Sequence, residues 1–271
     1  MSAPSAVPPL FKWTGGKRSQ AWRIRALMPA FARYFEPFLG GGAVLFTVAR
    51  PGAVAGDVYA PLIALWRLAQ GDPPALLDGY RRRWEQLQTE GADYFYQVRA
   101  RFNATRDPHD LNLLLRTCVN GIVRFNRDGA FNNSYHLTRP GMHPDRFAAV
   151  LASWHARIAG VEFVCGDYAD TLENAARGDF AYLDPPYLGS RHRYTHDLEA
   201  ERLYTVLEML TGRGVRWALS FDGRRGGGTL TASIPHALYT RRLLLPSGNS
   251  AVGKVLNGPV EMVEESVYLN Y

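Results

Sequence analysis

Asp184, Pro185, Pro186 and Tyr187 put a carboxylate, a proline carbonyl and a flat aromatic ring within four residues. A carboxylate accepts hydrogen bonds, the residue before a proline is held extended, and a tyrosine ring offers a face for stacking. Together they suit a planar base bearing an exocyclic amino group. The amino hydrogens go to the Asp184 carboxylate and the Pro185 carbonyl, and the ring stacks on Tyr187. Taken alone, the tetrapeptide reads as well as a Pro-Pro turn that ends a strand beside a core tyrosine. Other groups along the chain must decide between the two.

Three of these groups suit a nucleotide-like cofactor. In Phe11-Lys12-Trp13-Thr14-Gly15-Gly16-Lys17, glycines before a helical stretch (19–27) let backbone amides face an anion, and Lys17 adds a charge beside them. The Walker pattern requires a glycine at position 11, where this chain has phenylalanine, so the stretch reads as a holder of a carboxylate and not of a triphosphate. Phe38-Leu39-Gly40-Gly41-Gly42 is a glycine turn between a strand and a helix, where a cofactor can approach the backbone closely. A dinucleotide fingerprint starting at Gly40 needs its third glycine at Leu45, which disfavours nicotinamide and flavin dinucleotides. Asp57 follows the next strand, the usual place for an acid that accepts from ribose hydroxyls, and it can also cap the helix after it. Asp167 follows a later strand and is placed to accept from the amino group of a cofactor adenine.

The elements that must position these residues form an alternating α/β pattern. Phe180 to Leu183 is a buried strand that the two prolines terminate, which sets Asp184 and Tyr187 at its carboxyl end. Further strands are expected at 34–38, 53–56, 161–164, 215–220, 237–245 and 264–269, giving a sheet of roughly seven strands. Between Ala69 and Val150 the pattern turns helical: Tyr94, Phe95, Val98 and Phe102 recur at helix spacing, as do Leu111, Leu114, Leu115 and Cys118. The expected organisation is a loose tail at 1–9, a catalytic α/β domain at 10–68 and 150–271, and a helical insertion at 69–149.

The insertion ends in a hairpin signal, Asp128-Gly129 flanked by Phe125 and Phe131, with Asn120, Arg124, Asn126, Arg127, Asn132, Asn133 and Tyr135 around it. Arginine suits guanine and asparagine suits adenine in a DNA major groove; a solvated polar hairpin is the plainer reading. Arg139 lies in an expected connector at 138–145. Arg191 and Arg193 lie in a loop after the acidic tetrapeptide that is able to close over a phosphate backbone.

Composition narrows the class of protein. With 271 residues, 46% of them hydrophobic, the chain can bury a sizeable core, and no apolar run approaches the roughly 18 residues of a membrane span. The two cysteines, Cys118 and Cys165, lack the spacing of a zinc or redox site, so no metal and a cytoplasmic setting are expected. A net charge of +6 favours a polyanionic partner.

The order Lys-Trp-Thr-Gly-Gly-Lys (12–17), Glu-Pro-Phe-Leu-Gly-Gly-Gly (36–42), Asp57, a helical insertion with Asn-Gly and Arg-Phe-Asn, and Asp-Pro-Pro-Tyr (184–187) resembles the Dam-type, D12-class DNA adenine-N6 methyltransferases over nearly the whole chain after Pro9. The resemblance implies a Rossmann-like S-adenosylmethionine-dependent methyltransferase sheet with an inserted target-recognition domain. It further implies S-adenosyl-L-methionine as cofactor, double-stranded DNA as partner, and a monomer in solution. Trp13, Lys17, Phe38, Gly40, Gly41, Gly42, Asp57, Asp167 and Asp184 match cofactor positions, Asp184 to Tyr187 the catalytic tetrapeptide, and the hairpin residues the recognition surface. Phe131-Asn132-Asn133-Ser134-Tyr135-His136 departs from the family's usual Phe-Asn-Val-Pro-Phe-Gly, so the resemblance does not carry GATC over as the target. An adenine-N6 RNA methyltransferase and a DNA-binding regulator without catalysis remain as alternatives.

Overall fold

A computed structural model describes residues 7–186, 199–225, 228–230, 234–249 and 262–271. Four parallel strands, β1 (Tyr34–Glu36), β2 (Val54–Asp57), β3 (Glu162–Cys165) and β4 (Phe180–Leu183), run beside the long β5 (Arg216–Arg225). The short β6 (Gly228–Leu230) pairs only with β5, while β7 (Arg241–Asn249) and β8 (Met262–Leu269) complete the sheet in the order β3-β2-β1-β4-β5-β8-β7. β8 is antiparallel to both of its neighbours, and its insertion between β5 and β7 makes the sheet mixed. The seven expected strands are present. The eighth, β6, pairs antiparallel with the end of β5 at 223–225.

Alternation along the strands divides the core between the two faces of the sheet. Tyr34, Phe180 and Tyr182 belong to one buried cluster, and Phe35, Ala181 and Leu183 belong to the other. Burial on both faces explains why Phe180 to Leu183 is apolar without interruption. The second face is covered by α8 (Tyr168–Thr171) and α9 (Ala200–Gly212).

The first face carries α1 (Ala21–Leu27), α2 (Leu45–Val48) and α3 (Ala60–Gly71), and its core continues into α4 (Pro73–Glu90), α5 (Ala92–Thr105), α6 (Pro108–Thr117) and α7 (Pro144–Ile158). Asp72 and Asp107 cap α4 and α6 by accepting from Ala75 and His109 amides, with proline just inside each helix. Two expectations change. The connector expected at 138–145 ends at residue 143, and from Pro144 the chain forms α7, which packs on α3 and α4 and brings Phe147, Leu151 and Trp154 into the core. Within the expected loose tail, Val7 and Pro8 are packed: Val7 is buried, and the Pro8 carbonyl accepts from the Trp154 indole at 2.9 Å.

Candidate active site

The carboxyl ends of β1, β2, β3 and β4 open into one cavity of about 470 Å³, a size ordinary for a small-molecule site. The cavity lies where the strand order reverses: from β1 the chain steps to β2 on one side, and β4 returns on the other. Trp13, Lys17, Phe38, Gly40, Gly41, Gly42, Asp57, Asp167, Asp184, Pro185 and Pro186 all line it. Residues 150 positions apart in sequence are thus brought to one wall. Tyr187, Arg191 and Arg193 lie outside the described residues.

Asp184 lies just beyond the end of β4, and the Lys17 ammonium is 2.7 Å from its Oδ1. Lys17 is buried, and a second carboxylate, Glu265 Oε2 on β8, is 3.6 Å from the same nitrogen. Burial pushes the Asp184 carboxyl up to about 6; Lys17 pulls it down and Glu265 pushes it up. The expected anion-holding lysine is therefore already engaged with the Asp184 carboxylate.

The glycine turn owes its residues to two tight approaches. Gly40 and Gly42 have φ of +47° and +63°, and a Cβ at either would sit 2.8 Å from Trp13 or 2.9 Å from Trp66. Asp57 ties the turn down, accepting from the Gly40 and Tyr59 amides at 3.0 Å each. The Tyr59 contact lies just before α3, whose N-cap residue is Tyr59 and which has no side-chain cap, so Asp57 does not cap that helix as expected; it holds the approach to it and lines the cavity. Burial pushes the Asp57 carboxyl up, against those two amides.

Asp167 caps α8 in a capping box with Asp170 and forms a two-pronged pair with Arg202 of α9, at 2.6 and 2.9 Å. The Arg202 guanidinium also lies over the Tyr168 ring, which stacks on Phe38. Trp13, Tyr59 and Phe125 form a second aromatic wall. These flat faces, together with the Asp57 and Glu36 carboxyls, fit an adenosine carrying a sulfonium group: the rings offer stacking surface and favour a cation, and the acids accept hydroxyl or amino hydrogens.

The sequence reading missed several lining residues: Glu36, Tyr59, Phe125, Tyr168, Tyr182 and Arg202. Glu36 is buried on β1, accepts from Tyr34 Oη at 2.6 Å, and is pushed by burial up to about 8, so it carries a proton at neutral pH. An acid inside an otherwise apolar strand was the available signal.

The hairpin forms as expected, with Phe125 and Phe131 bridged and a turn closed by Asn126 and Ala130. Asn120, Arg124, Asn126, Arg127 and Arg139 are exposed. Asn132 holds the Arg124 guanidinium through its side-chain oxygen at 2.8 Å, and the Asn126 side-chain oxygen accepts two turn amides. Asn133 is buried and donates to the Val119 and Ile122 carbonyls, so it shapes the hairpin base and presents nothing to solvent. Tyr135 is half-buried against Phe95.

Residues 13–233 match the family described as D12 class N6 adenine-specific DNA methyltransferase, and the chain belongs to that family. Its methyl donor is accordingly S-adenosylmethionine. The chain is similar to the DNA N-6-adenine-methyltransferase of Escherichia phage P1, 32% identical over 79% of this chain and 30% of the phage protein. It is also similar to the type II methyltransferase M1.LlaDCHI of Lactococcus lactis subsp. cremoris, 28% identical over 78% of this chain and 80% of that one. Two solved structures of the rRNA methyltransferase aviRa from Streptomyces viridochromogenes cover 99% of the chain at 16% and 14% identity, with TM-scores of 0.40 and 0.42. Likeness at that level speaks to neither substrate nor mechanism. Among the described residues no helix is long and apolar enough to cross a membrane, and no group of three or more His, Cys, Asp or Glu could hold a metal ion.

Proposed function

We propose that the chain methylates N6 of an adenine extruded from double-stranded DNA, by direct in-line displacement at the mouth of β4. The observation that carries this reading is the Asp184 carboxylate, set inside the cavity and paired with Lys17. S-adenosylmethionine supplies an electrophilic methyl group on a sulfonium.

Adenine's amino lone pair is delocalised into its ring, so the nitrogen attacks poorly until its geometry is drawn toward tetrahedral. Hydrogen bonds from N6 to Asp184 and to the Pro185 carbonyl do this and aim the lone pair. With a pKa near 6, Asp184 is ionised at neutral pH and can take the proton that N6 sheds as the new N–C bond forms. Positioning supplies much of the rate, and no covalent enzyme intermediate is needed. A paired adenine cannot reach the cavity, so the base is flipped, and Tyr187 stacks on it.

Trp13, Phe38, Asp57 and the glycine turn hold the cofactor, with Asp167 at its adenine. The α/β part, 10–68 and 150–271, acts as the catalytic unit, and 69–149 as the recognition unit. Asn120, Arg124, Arg127, Arg139, Arg191 and Arg193 meet the DNA. The protein acts as a cytoplasmic monomer without a metal. Transfer of tritium from labelled cofactor to duplex DNA, compared with RNA, tests the reading: label on RNA alone overturns the DNA assignment, and Asp184→Ala must abolish transfer while retaining the fold.

A further inference from the structure

Glu265 belongs to none of the motifs around the cavity, yet it stands behind the acid that does the chemistry. It reaches the site through the order of the sheet. β8 lies beside β5, and Glu265 is paired with Gly223 on one side and Leu245 on the other. The β5–β8 register shifts between Ser220 and Gly223, next to this pairing, and such irregularities re-aim the residues beside them. Glu265 Oε2 is buried, makes no hydrogen bond, and lies 3.6 Å from the Lys17 ammonium. Lys17 also bonds Asp184 Oδ1 at 2.7 Å. One buried cation is therefore shared by two carboxylates that come from strands separated in the sheet by β5.

We propose that Glu265 is a positioning residue for methyl transfer: acting through Lys17, it fixes the ammonium against Asp184 Oδ1 and so directs Oδ2 to the adenine amino group. This rests on the adenine-methylating role assigned above. Without the Glu265 charge, the ammonium keeps the Gly15 carbonyl at 3.3 Å but loses its second carboxylate, and it settles more fully on Asp184, competing with the incoming amino group. Other groups facing the acid are Glu36 and Tyr34 on β1 and Tyr182 on β4, whose hydroxyl bonds Ser220 at 2.8 Å. Of these, Glu36 is protonated at neutral pH. Glu265 is thus the nearby carboxylate whose charge opposes that of Asp184, and it raises the pH at which Asp184 ionises.

Replacing Glu265 by Gln keeps its size and removes its charge. The acid limb of the kcat profile is expected to move to lower pH by roughly half a unit or more, as a lost like charge requires, with kcat at neutral pH falling about tenfold. Glu265→Asp retains the charge and keeps the limb at its original pH. In a Lys17→Met background the direct like-charge shift of the limb persists, but Glu265→Gln should hardly lower kcat at neutral pH, because the positioning passes through the lysine. A folded Glu265→Gln protein with an unmoved acid limb overturns the proposal, as does a full additive fall of neutral-pH kcat in the Lys17→Met background. Absence of adenine methylation by the unaltered protein is a separate result and strikes the proposed function itself.

Discussion

Thr14 Oγ1 accepts the backbone N–H of Val123 at 2.9 Å, joining residues 109 positions apart. Thr14 lies in the loop that carries Trp13 and Lys17, and Val123 lies at the base of the hairpin, so the cofactor wall and the expected recognition element are tied at one point. Phe125, two residues on, lines the cavity and packs on Tyr59, which extends the tie.

Thr14→Val keeps the shape and removes the acceptor, leaving a partly buried N–H unpaired. A loss of about 1 to 3 kcal/mol is expected, read by denaturant unfolding. Cofactor and DNA affinities should fall together in equilibrium titrations; a fall in one alone shows that the tie does not couple them.

Activity should decline below about pH 6 rather than near the ordinary carboxylate range, because the ionised form of Asp184 is the one that accepts from N6 and burial raises its pKa. Lys17 lowers that pKa, so Lys17→Met must shift the acid limb of the rate profile upward. A limb that stays near pH 4 in the unaltered protein removes Asp184 from the acceptor role.

Glu36 ties stability to pH. Below about 4.5 both the folded and the unfolded chain hold its proton. As pH rises from there toward 8 the unfolded chain ionises first, so the folded state loses stability, by on the order of a few kcal/mol across the window. Glu36→Gln can still accept from Tyr34 and should flatten this decline, as measured by urea unfolding between pH 5 and 9.

Arg124 is exposed, with its guanidinium steered by Asn132. Arg124→Ala should weaken DNA binding. A salt slope smaller by about 1 marks a phosphate contact, and an unchanged slope with relaxed sequence choice, worth about 1 to 3 kcal/mol at one base pair, marks a base contact. If neither affinity nor sequence choice changes, the hairpin is not the reader.

Much of the site was legible because parallel strands announce their carboxyl ends. Asp184 follows a short apolar run that two prolines stop, and Asp57 closes the short run Val54-Ala55-Gly56, so local pattern places both at one edge before any tertiary contact is known. The Asp128-Gly129 turn likewise fixed the hairpin. Arg202 and Glu265 were not legible. Arg202 lies on an amphipathic helix where nothing in the spacing marks it, and only the packing of α9 beside α8 brings it to Asp167. Glu265 depends on which strands become neighbours, and periodicity along the chain carries no information about order across the sheet. The expected connector at 138–145 overran the start of α7 because Pro140 and Pro144 look like loop punctuation, whereas Pro144 is the first residue of the helix.

The sheet is filled out of sequence. β7 touches β5 only through β8, the strand that follows both in the chain, so β8 has to enter between two strands that precede it. Glu265 comes with it. The second carboxylate at the lysine paired with Asp184 is thus supplied by the strand that joins β7 to the rest of the sheet, and the setting of that acid depends on a strand it never touches in sequence.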